Sequence, residues 1–109
     1  LNEGICYYDY GNYHFAFSSN RTNTIENCNT ILELGETVFK EYIVKETDSA
    51  DYIGNKGVTV LSTPAMIKYI ELAAASIVFE RLPEGHRPVG TKINVKHVNP
   101  APVGEKIKV

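Results

Sequence analysis

The stretch STPAMIKYIELAAASIVFERLPEG, residues 62–85, predicts one long helix, and this helix decides the fold. Thr63 is suited to cap the helix start, and Pro64 follows at the first helical position, where its missing N–H does no harm. Pro83 and Gly85 mark the end of the helix. About 18 residues at roughly 1.5 Å each give a length of roughly 27 Å, which spans a small domain.

The predicted helix is apolar over most of its circumference, so other elements should wrap around it. Its apolar residues are Ala65, Met66, Ile67, Ile70, Leu72, Ala73, Ala74, Ile77, Val78 and Phe79. Glu71 is a carboxylate within this apolar surface. Because it follows Lys68 by three positions, one interpretation is an exposed ion pair on the helix. The other interpretation is that Glu71 belongs to a functional site.

The segment after the helix, RPVGTKINVKHVNP (residues 87–100), has the two-residue period of a strand. One face is mostly apolar and the other is polar or basic, which predicts a half-buried antiparallel strand with His97 on its buried side. His97 is then either a hydrogen-bonded core histidine or a catalytic group. Gly90 either marks a β-bulge or lets a ligand approach the backbone. An antiparallel sheet around one helix is an α+β architecture.

Several shorter elements are predicted around this pair. Residues 1–30 form an atypical N-terminal segment, with a hairpin whose turn is Gly11-Asn12 and a loop or linker over residues 18–30. Residues 31–109 form the main domain. Within it, residues 36–46 predict a strand, and Thr47-Asp48 begin a short helical turn that reaches Ile53. Residues 105–109 begin a further strand, so we expect the chain to lack the last strands of its domain.

The composition argues against several classes of function. The chain of 109 residues suffices for one domain, and its fractions of 43% hydrophobic and 22% charged residues are typical of a soluble globular protein. A net charge of −2 without a basic stripe argues against nucleic-acid binding. No apolar stretch is long enough to span a membrane.

Cys6, Cys28 and three scattered histidines show no metal-ligand spacing. We expect a cytoplasmic protein without a metal or other cofactor.

Two stretches, VLSTPAMIKYIELAAAS and LPEGHRPVGTKINVKHVNPAPVGEKIKV, carry a resemblance to a known family. They are similar to the fluoroacetyl-CoA thioesterase-like branch of the hot-dog-fold thioesterases, over about residues 34–109. The most specific matches are the T-P-A-M helix start, the E-x-A pair on the helix and the V-G-T-x-[IV]-x-V-x-H strand. The resemblance implies a hot-dog-like fold, in which an antiparallel sheet wraps one central helix. It also implies a homodimer or higher homo-oligomer with its sites at the subunit interface.

The resemblance further implies that Thr63, Glu71 and His97 act together on a small-molecule acyl-CoA, with Gly90 beside them. A thioester carbonyl needs a nucleophile, a base that activates it and donors for the growing oxyanion. His97 can take a proton from Thr63 or from a water, and Glu71 can orient a partner or act as the base. Whether Thr63 attacks covalently or only positions water is open at this stage.

Three residues are expected to contact the substrate: Gly90, Ala65 and Met66. A helix start supplies free N–H groups and a positive dipole end, so Ala65 and Met66 are candidate donors to the oxyanion. Gly90 lets a thioester approach the strand backbone closely. The basic residues Lys92, Lys96 and Arg87 either meet the phosphates of coenzyme A or form the ordinary solvated face of the strand.

The predicted function is therefore hydrolysis of an acyl-CoA thioester to a free acid and coenzyme A. Where the specialised fluoroacetyl enzyme is expected to carry an aromatic gate before the threonine, this chain has GNKGVTV, residues 54–60. The sequence thus does not predict selectivity for a fluorinated substrate. Two alternatives stay open: a hydratase or dehydratase on the same fold, and a non-catalytic module that binds an acyl thioester.

Overall fold

The computed structural model of the chain describes residues 6–10, 13–19, 37–82 and 85–109. The strands of this part are β1 (Cys6–Tyr10), β2 (Tyr13–Ser19), β3 (Glu41–Ile43), β4 (His86–Ile93) and β5 (Lys106–Lys108). The α-helix α1 spans Thr63–Val78, and 3-10 helices span Glu46–Asp48 and Phe79–Arg81. This is the predicted α+β class. The chain divides into two compact units. The first holds residues 1–37 and 74–95, and the second holds residues 38–73 and 96–109.

The first unit contains an antiparallel sheet with the strand order β1-β2-β4. β1 and β2 form a hairpin in which Tyr10 pairs with Tyr13. The predicted turn residues between them, Gly11 and Asn12, lie outside the described residues. The predicted linker began at residue 18, but residues 18 and 19 belong to β2, and residues 20–30 lie outside the described residues. Since β2 also pairs with β4, the N-terminal segment and the predicted main domain share a sheet.

The pairing of β2 with β4 contains one irregularity. Phe15 pairs with Gly90, whereas the preceding His14 pairs with Lys92, so the register shifts by one residue. Thr91 lies between Gly90 and Lys92 and has no partner on β2, so it is the extra residue of a β-bulge. Gly90 therefore borders a β-bulge, which is one of the two interpretations that the sequence left open.

The second unit contains β3 and β5, which pair antiparallel. Two isolated bridges extend this pairing, Ser49 with Leu61 and Val60 with Pro102. A turn precedes β5, in which the Glu105 N–H donates to the Pro102 carbonyl at 3.1 Å. Gly104 lies in that turn with φ of +93°, a conformation that side-chain-bearing residues rarely adopt.

The core of the second unit is small and apolar. Val44, Leu61 and Tyr69 are buried at its centre. The Tyr42 ring stacks on Tyr69 with the ring centroids 4.3 Å apart. The partly buried side chains that pack against this centre include Ala65, Met66, Ala101, Val103, Ile107 and Val109. The first turns of α1 are thereby fixed against β5 and the loop that precedes it.

The helix has nearly the predicted extent. α1 runs from Thr63 to Val78 and continues as a 3-10 helix to Arg81, just before Pro83, which cannot continue it. The predicted cap is wrong, however. The side-chain oxygen of Ser62 accepts the Ala65 N–H at 3.2 Å, so Ser62 is the N-cap and Thr63 is the first helical residue.

Two strand predictions were too long. The strand predicted over residues 36–46 is limited to β3, and the strand predicted through residue 98 ends at Ile93. Ile93 pairs with Tyr13, the first residue of β2, so β4 has no further partner on that strand. His97 consequently lies in an irregular segment rather than on a strand, and Val89, which shares the predicted apolar face with His97, is 47% exposed.

Within the described ranges, no helix combines the length and apolarity needed to cross a membrane.

Candidate functional site

The start of α1 is held by Ser62, which makes three hydrogen bonds. Its side-chain oxygen accepts the Ala65 N–H, its carbonyl accepts the Met66 N–H at 3.0 Å, and its own N–H donates to the Asp48 carbonyl at 2.8 Å. The N-cap of this helix is therefore supplied without the hydroxyl of Thr63. As a result, the Thr63 hydroxyl can engage a residue elsewhere in the fold.

The partner of the Thr63 hydroxyl is His97. Thr63 Oγ1 lies 3.0 Å from Nδ1 of His97, although the two residues are 34 positions apart in sequence. With the imidazole proton on Nε2, Nδ1 is free to accept the hydroxyl hydrogen. Thr63 is exposed and His97 is half-buried, so a reagent can reach the hydroxyl while protein surrounds part of the ring. A hydroxyl beside a proton acceptor is the arrangement that nucleophilic catalysis requires.

A buried carboxylate fixes the segment behind this pair. The Asp48 side chain is 1% exposed, and it accepts hydrogen bonds from the Tyr69 hydroxyl, from Lys68 Nζ at 2.9 Å and from the Lys45 N–H at 3.0 Å. Burial raises the pKa of the Asp48 carboxyl, but these three donors outweigh it and lower the pKa to about 2. Asp48 is thus an ionised anchor that ties the 3-10 helix at Glu46–Asp48 to α1.

A cleft of about 440 Å³ lies beside His97 within the second unit. Its apolar lining includes Leu61, Met66, Ile70, Ala101, Ile107 and Val109, and polar atoms come from Lys96, His97, Asn99 and Lys108. Thr63, Met66 and Ile70 stand at i, i+3 and i+7 on α1, so they share one face of the helix. The cleft therefore extends along the same helix face that carries Thr63.

Glu71 is not brought to the Thr63–His97 pair within the chain. It lies eight positions beyond Thr63 on α1, roughly 12 Å along the axis, and it is exposed to solvent. Within the described part of the chain it has no hydrogen bond or ion pair and does not line the cleft. The alternative ion pair with Lys68 is not formed either, because Lys68 pairs with Asp48 at 2.9 Å.

The backbone donors expected at Ala65 and Met66 are already engaged, since both N–H groups donate to Ser62. The side chain of Met66 nevertheless lines the cleft, which keeps this residue a candidate for substrate contact. Gly90 belongs to the first unit, where it borders the bulge of β4. Its expected place beside a thioester stays a prediction.

The three basic residues predicted to meet phosphates differ in their surroundings. Lys96 lines the cleft, and Lys92 is exposed on β4. The Arg87 guanidinium lies 5.5 Å from the centre of the Phe79 ring, which is a cation–π contact. Lys108, which the sequence did not single out, also lines the cleft, and its Nζ lies 5.0 Å from the centre of the Phe39 ring.

Reasoning from sequence missed the supporting residues. Ser62 carried a signal, because serine is as good an N-cap as threonine and its use would leave Thr63 free. Asp48 was assigned only to a local turn, whereas its partners Lys68 and Tyr69 lie 20 and 21 positions later. No short-range pattern could identify such a contact. The cleft residue Ile70 looked like any other apolar residue of the helix.

Comparison with known proteins gives one family. Residues 44–109 match the family model described as fluoroacetyl-CoA-specific thioesterase, and this match covers more than half of the chain. It begins about ten residues later than the predicted resemblance and includes Thr63, Glu71, Gly90 and His97. Searches of curated proteins and of solved structures gave no significant match.

Proposed function

The chain belongs to the fluoroacetyl-CoA-specific thioesterase family, and from this premise we propose that it hydrolyses an acyl-CoA thioester on a hot-dog-like fold. The products are a free acid and coenzyme A. The observation that carries this proposal is the 3.0 Å contact between Thr63 Oγ1 and His97 Nδ1, beside an apolar cleft of about 440 Å³. The pair supplies a hydroxyl and its base, and the cleft offers a place for the acyl group.

The proposed chemistry begins with a proton transfer to His97. In the covalent form, Thr63 Oγ1 attacks the thioester carbonyl carbon while its proton passes to Nδ1. The tetrahedral intermediate expels the thiolate of coenzyme A, which takes the proton from the imidazolium, and water then cleaves the threonyl ester. In the other form, His97 activates a water that Thr63 positions, and no ester forms. Mass spectrometry of the quenched enzyme distinguishes the two, since only the first adds the acyl mass to the chain.

The hydrogen bonds at the helix start change which N–H group we propose as the oxyanion donor. Ala65 and Met66 already donate to Ser62, and Pro64 has no N–H. Among the described residues, the Thr63 N–H has no acceptor within the protein, and it lies where the helix dipole is positive. In this proposal the N–H of Thr63 itself stabilises the oxyanion.

Glu71 is assigned to the site of a partner subunit in a homodimer. Two features support this: it is exposed, and it lies roughly 12 Å along the helix axis from the Thr63 of its own chain. A two-fold related copy can present this carboxylate to the His97 side of the pair, where it orients the imidazole or the water. Lys96 at the cleft is suited to the phosphates of coenzyme A.

The test is release of coenzyme A thiol from a panel of acyl-CoA esters. We expect wild-type turnover on at least one ester, and a loss of at least about 100-fold in His97→Ala and in Glu71→Ala, because each removes a positioned acid or base. Leu72→Ala is a matched control, since Leu72 follows Glu71 directly and is 51% exposed. Turnover at the wild-type level in both variants would contradict the assignment.

The same assay separates the two alternatives. A hydratase or dehydratase changes the acyl chain and releases no thiol, which mass spectrometry of the acyl-CoA detects. A non-catalytic binding module leaves the ester intact, and its affinity for acyl-CoA is unchanged by His97→Ala. The membership of a thioesterase family favours hydrolysis over both.

A further inference from the structure

The size and lining of the cleft at His97 carry information about the acyl group. This inference rests on the proposed function, because it assumes that the acyl group of a thioester enters the cleft. The cleft volume of about 440 Å³ lies within the range of sites that hold drug-sized ligands. A two-carbon acyl group is about as large as two or three waters, roughly 60–90 Å³ at ~30 Å³ per water. It fills only a small part of this volume.

The direction of the cleft follows from α1. Thr63 stands at the first position of the helix, Met66 one turn later and Ile70 two turns later, all on one face. A carbonyl held at Thr63 therefore places the following carbons against Met66 first and Ile70 next. The wall opposite the helix is supplied by Ala101, from the segment before β5, and Ile107 of β5.

Apolar side chains predominate in the lining of the cleft, whose polar members are Lys96, His97, Asn99 and Lys108. The side chains of Met66, Ile70, Ala101 and Ile107 present carbon and sulfur, and burial of each methylene against them is favourable. The cationic residue Lys96 in this lining suits phosphate and not a short neutral acyl group. Both size and polarity thus oppose a two-carbon substrate.

We propose that the cleft binds an apolar, unsubstituted acyl chain of roughly six to ten carbons, taking a methylene as about as large as a water, and that Ile70 limits the chain length. A chain of this length occupies the helix face from Thr63 to Ile70 and leaves room for water in an open cleft. The substrate class is therefore a medium-chain acyl-CoA rather than fluoroacetyl-CoA.

The experiment measures kcat/KM for acetyl-, fluoroacetyl-, butyryl-, hexanoyl-, octanoyl-, decanoyl- and dodecanoyl-CoA. We expect kcat/KM to rise with chain length and to be at least about 100-fold higher for octanoyl-CoA than for acetyl- or fluoroacetyl-CoA, because each buried methylene contributes roughly fourfold. Ile70→Phe should lower the octanoyl to acetyl ratio by about 10-fold or more, since it fills part of the cleft. Ile70→Ala should move the optimum toward dodecanoyl-CoA.

Leu72→Phe is the matched control, because Leu72 projects from the opposite side of α1 to Ile70 and is half exposed. It should leave the ratio within about twofold, the scale of a surface substitution. A kcat/KM that is highest for acetyl- or fluoroacetyl-CoA would overturn the inference while leaving thioester hydrolysis intact. So would equal ratios in Ile70→Phe and Leu72→Phe.

Calorimetric binding to the Thr63→Val variant separates this inference from the proposed function. If no ester is hydrolysed by the wild type, the proposed function fails, but affinity can still be measured. Affinity that increases from acetyl- to octanoyl-CoA and weakens in Ile70→Phe would support the cleft as the acyl site. Affinity that is independent of chain length would overturn it.

Discussion

Two adjacent hydroxyl residues at the start of α1 have different tasks. Ser62 caps the helix through its side chain, and it is 5% exposed. Thr63 is exposed, and its hydroxyl meets His97 at 3.0 Å. The division follows from helix geometry, because the N-cap side chain turns inward to the free N–H groups while the first helical residue projects away from them. The capping of the helix and the proposed catalytic role therefore fall on neighbouring but separate residues.

This division predicts opposite outcomes for two single substitutions. Ser62→Ala should lower the free energy of unfolding by about 1 kcal/mol, the usual cost of losing an N-cap. Thr63→Val keeps the β-branched shape, so it should change stability by less than about 0.5 kcal/mol. Urea denaturation followed by circular dichroism measures both.

Activity should show the reverse order. Thr63→Val should lower thiol release by at least about 100-fold, whereas Ser62→Ala should retain most of it at a temperature where the protein is folded. If Thr63→Val destabilised the protein as much as Ser62→Ala, the threonine would share the capping role and the separation would be wrong.

For single residues, the sequence predicted which side chains belong to the candidate site, but it could not predict the distances between them. The resemblance indicated Thr63 and His97, and the structure brings their side chains together. The spacing of 34 residues could not show this, because it depends on how the segment after β4 returns to the helix start. Glu71 could not be placed at all from the helical period, since a residue on the side of a helix can face its own chain or a partner.

Among the elements, the 3-10 helix at Glu46–Asp48 is tied to α1 by one carboxylate. Asp48 receives donors from Lys45, which precedes its 3-10 helix, and from Lys68 and Tyr69 of α1, and its carbonyl accepts the Ser62 N–H. A buried carboxylate with three donors stabilises the fold only while it is ionised. The contact is thus sensitive to acid.

We predict a loss of stability in acid that depends on Asp48. Its pKa is lowered from the ordinary value of 3.8 to about 2, so the folded state binds this proton less readily than the unfolded state. The contribution is complete above about pH 4 and is lost as the pH falls from about 4 to about 2. The size of this contribution is roughly 2–3 kcal/mol, from a pKa shift of nearly two units at ~1.4 kcal/mol each.

The comparison is between wild type, Asp48→Asn and Glu46→Gln, with unfolding free energies measured from pH 2 to pH 7. Asp48→Asn should be less stable at neutral pH and should lose less stability between pH 4 and pH 2. Glu46→Gln removes an exposed carboxylate from the same 3-10 helix and should follow the wild type. A wild-type slope in Asp48→Asn would mean that another group governs the acid response.

The helix was predictable at this scale, but the strands were less so. The apolar period and Pro83 gave α1 nearly its full extent, because these signals are local. The alternation in residues 87–98 continued beyond the true end of β4, since a strand needs a partner and β2 begins at the residue that pairs with Ile93. The alternation of apolar and polar residues in one segment does not show where its partner strand ends.

For the whole molecule, the family match covers residues 44–109, so it includes all of the proposed catalytic residues. The α+β class and the family were predictable from sequence. The division into two compact units was not, because each unit combines segments that are distant in sequence. The proposed assignment of Glu71 to a partner subunit also belongs to this scale, and it can be tested without a structure of the dimer.

Subunit mixing tests whether the site is shared. Thr63→Val and Glu71→Gln should each be nearly inactive alone. If Glu71 acts across the dimer, a mixed dimer contains one site with an intact Thr63, His97 and partner carboxylate. Refolding an equal mixture should restore about a quarter of the wild-type thiol release, because half of the dimers are mixed and each has one complete site.

The matched control is a mixture of Thr63→Val with His97→Ala. These two residues contact each other within one chain, so no mixed dimer contains a complete pair, and no activity should return. An affinity tag on one variant, which retains the untagged variant on a column, confirms that mixed dimers form. Failure of the first mixture to recover, with mixed dimers present, would place Glu71 in the same subunit as Thr63 or outside the site.

The capping of α1 by Ser62 affects which substitutions the proposed site can accept. Because Ser62 supplies the N-cap, the stability of the helix does not require threonine at position 63. Serine or cysteine at position 63 should therefore cost little stability. The proposed attacking atom can thus change from one oxygen to another, or to sulfur, while the helix start stays the same. The proposed nucleophile thus stands at a position that the capping of the helix does not require.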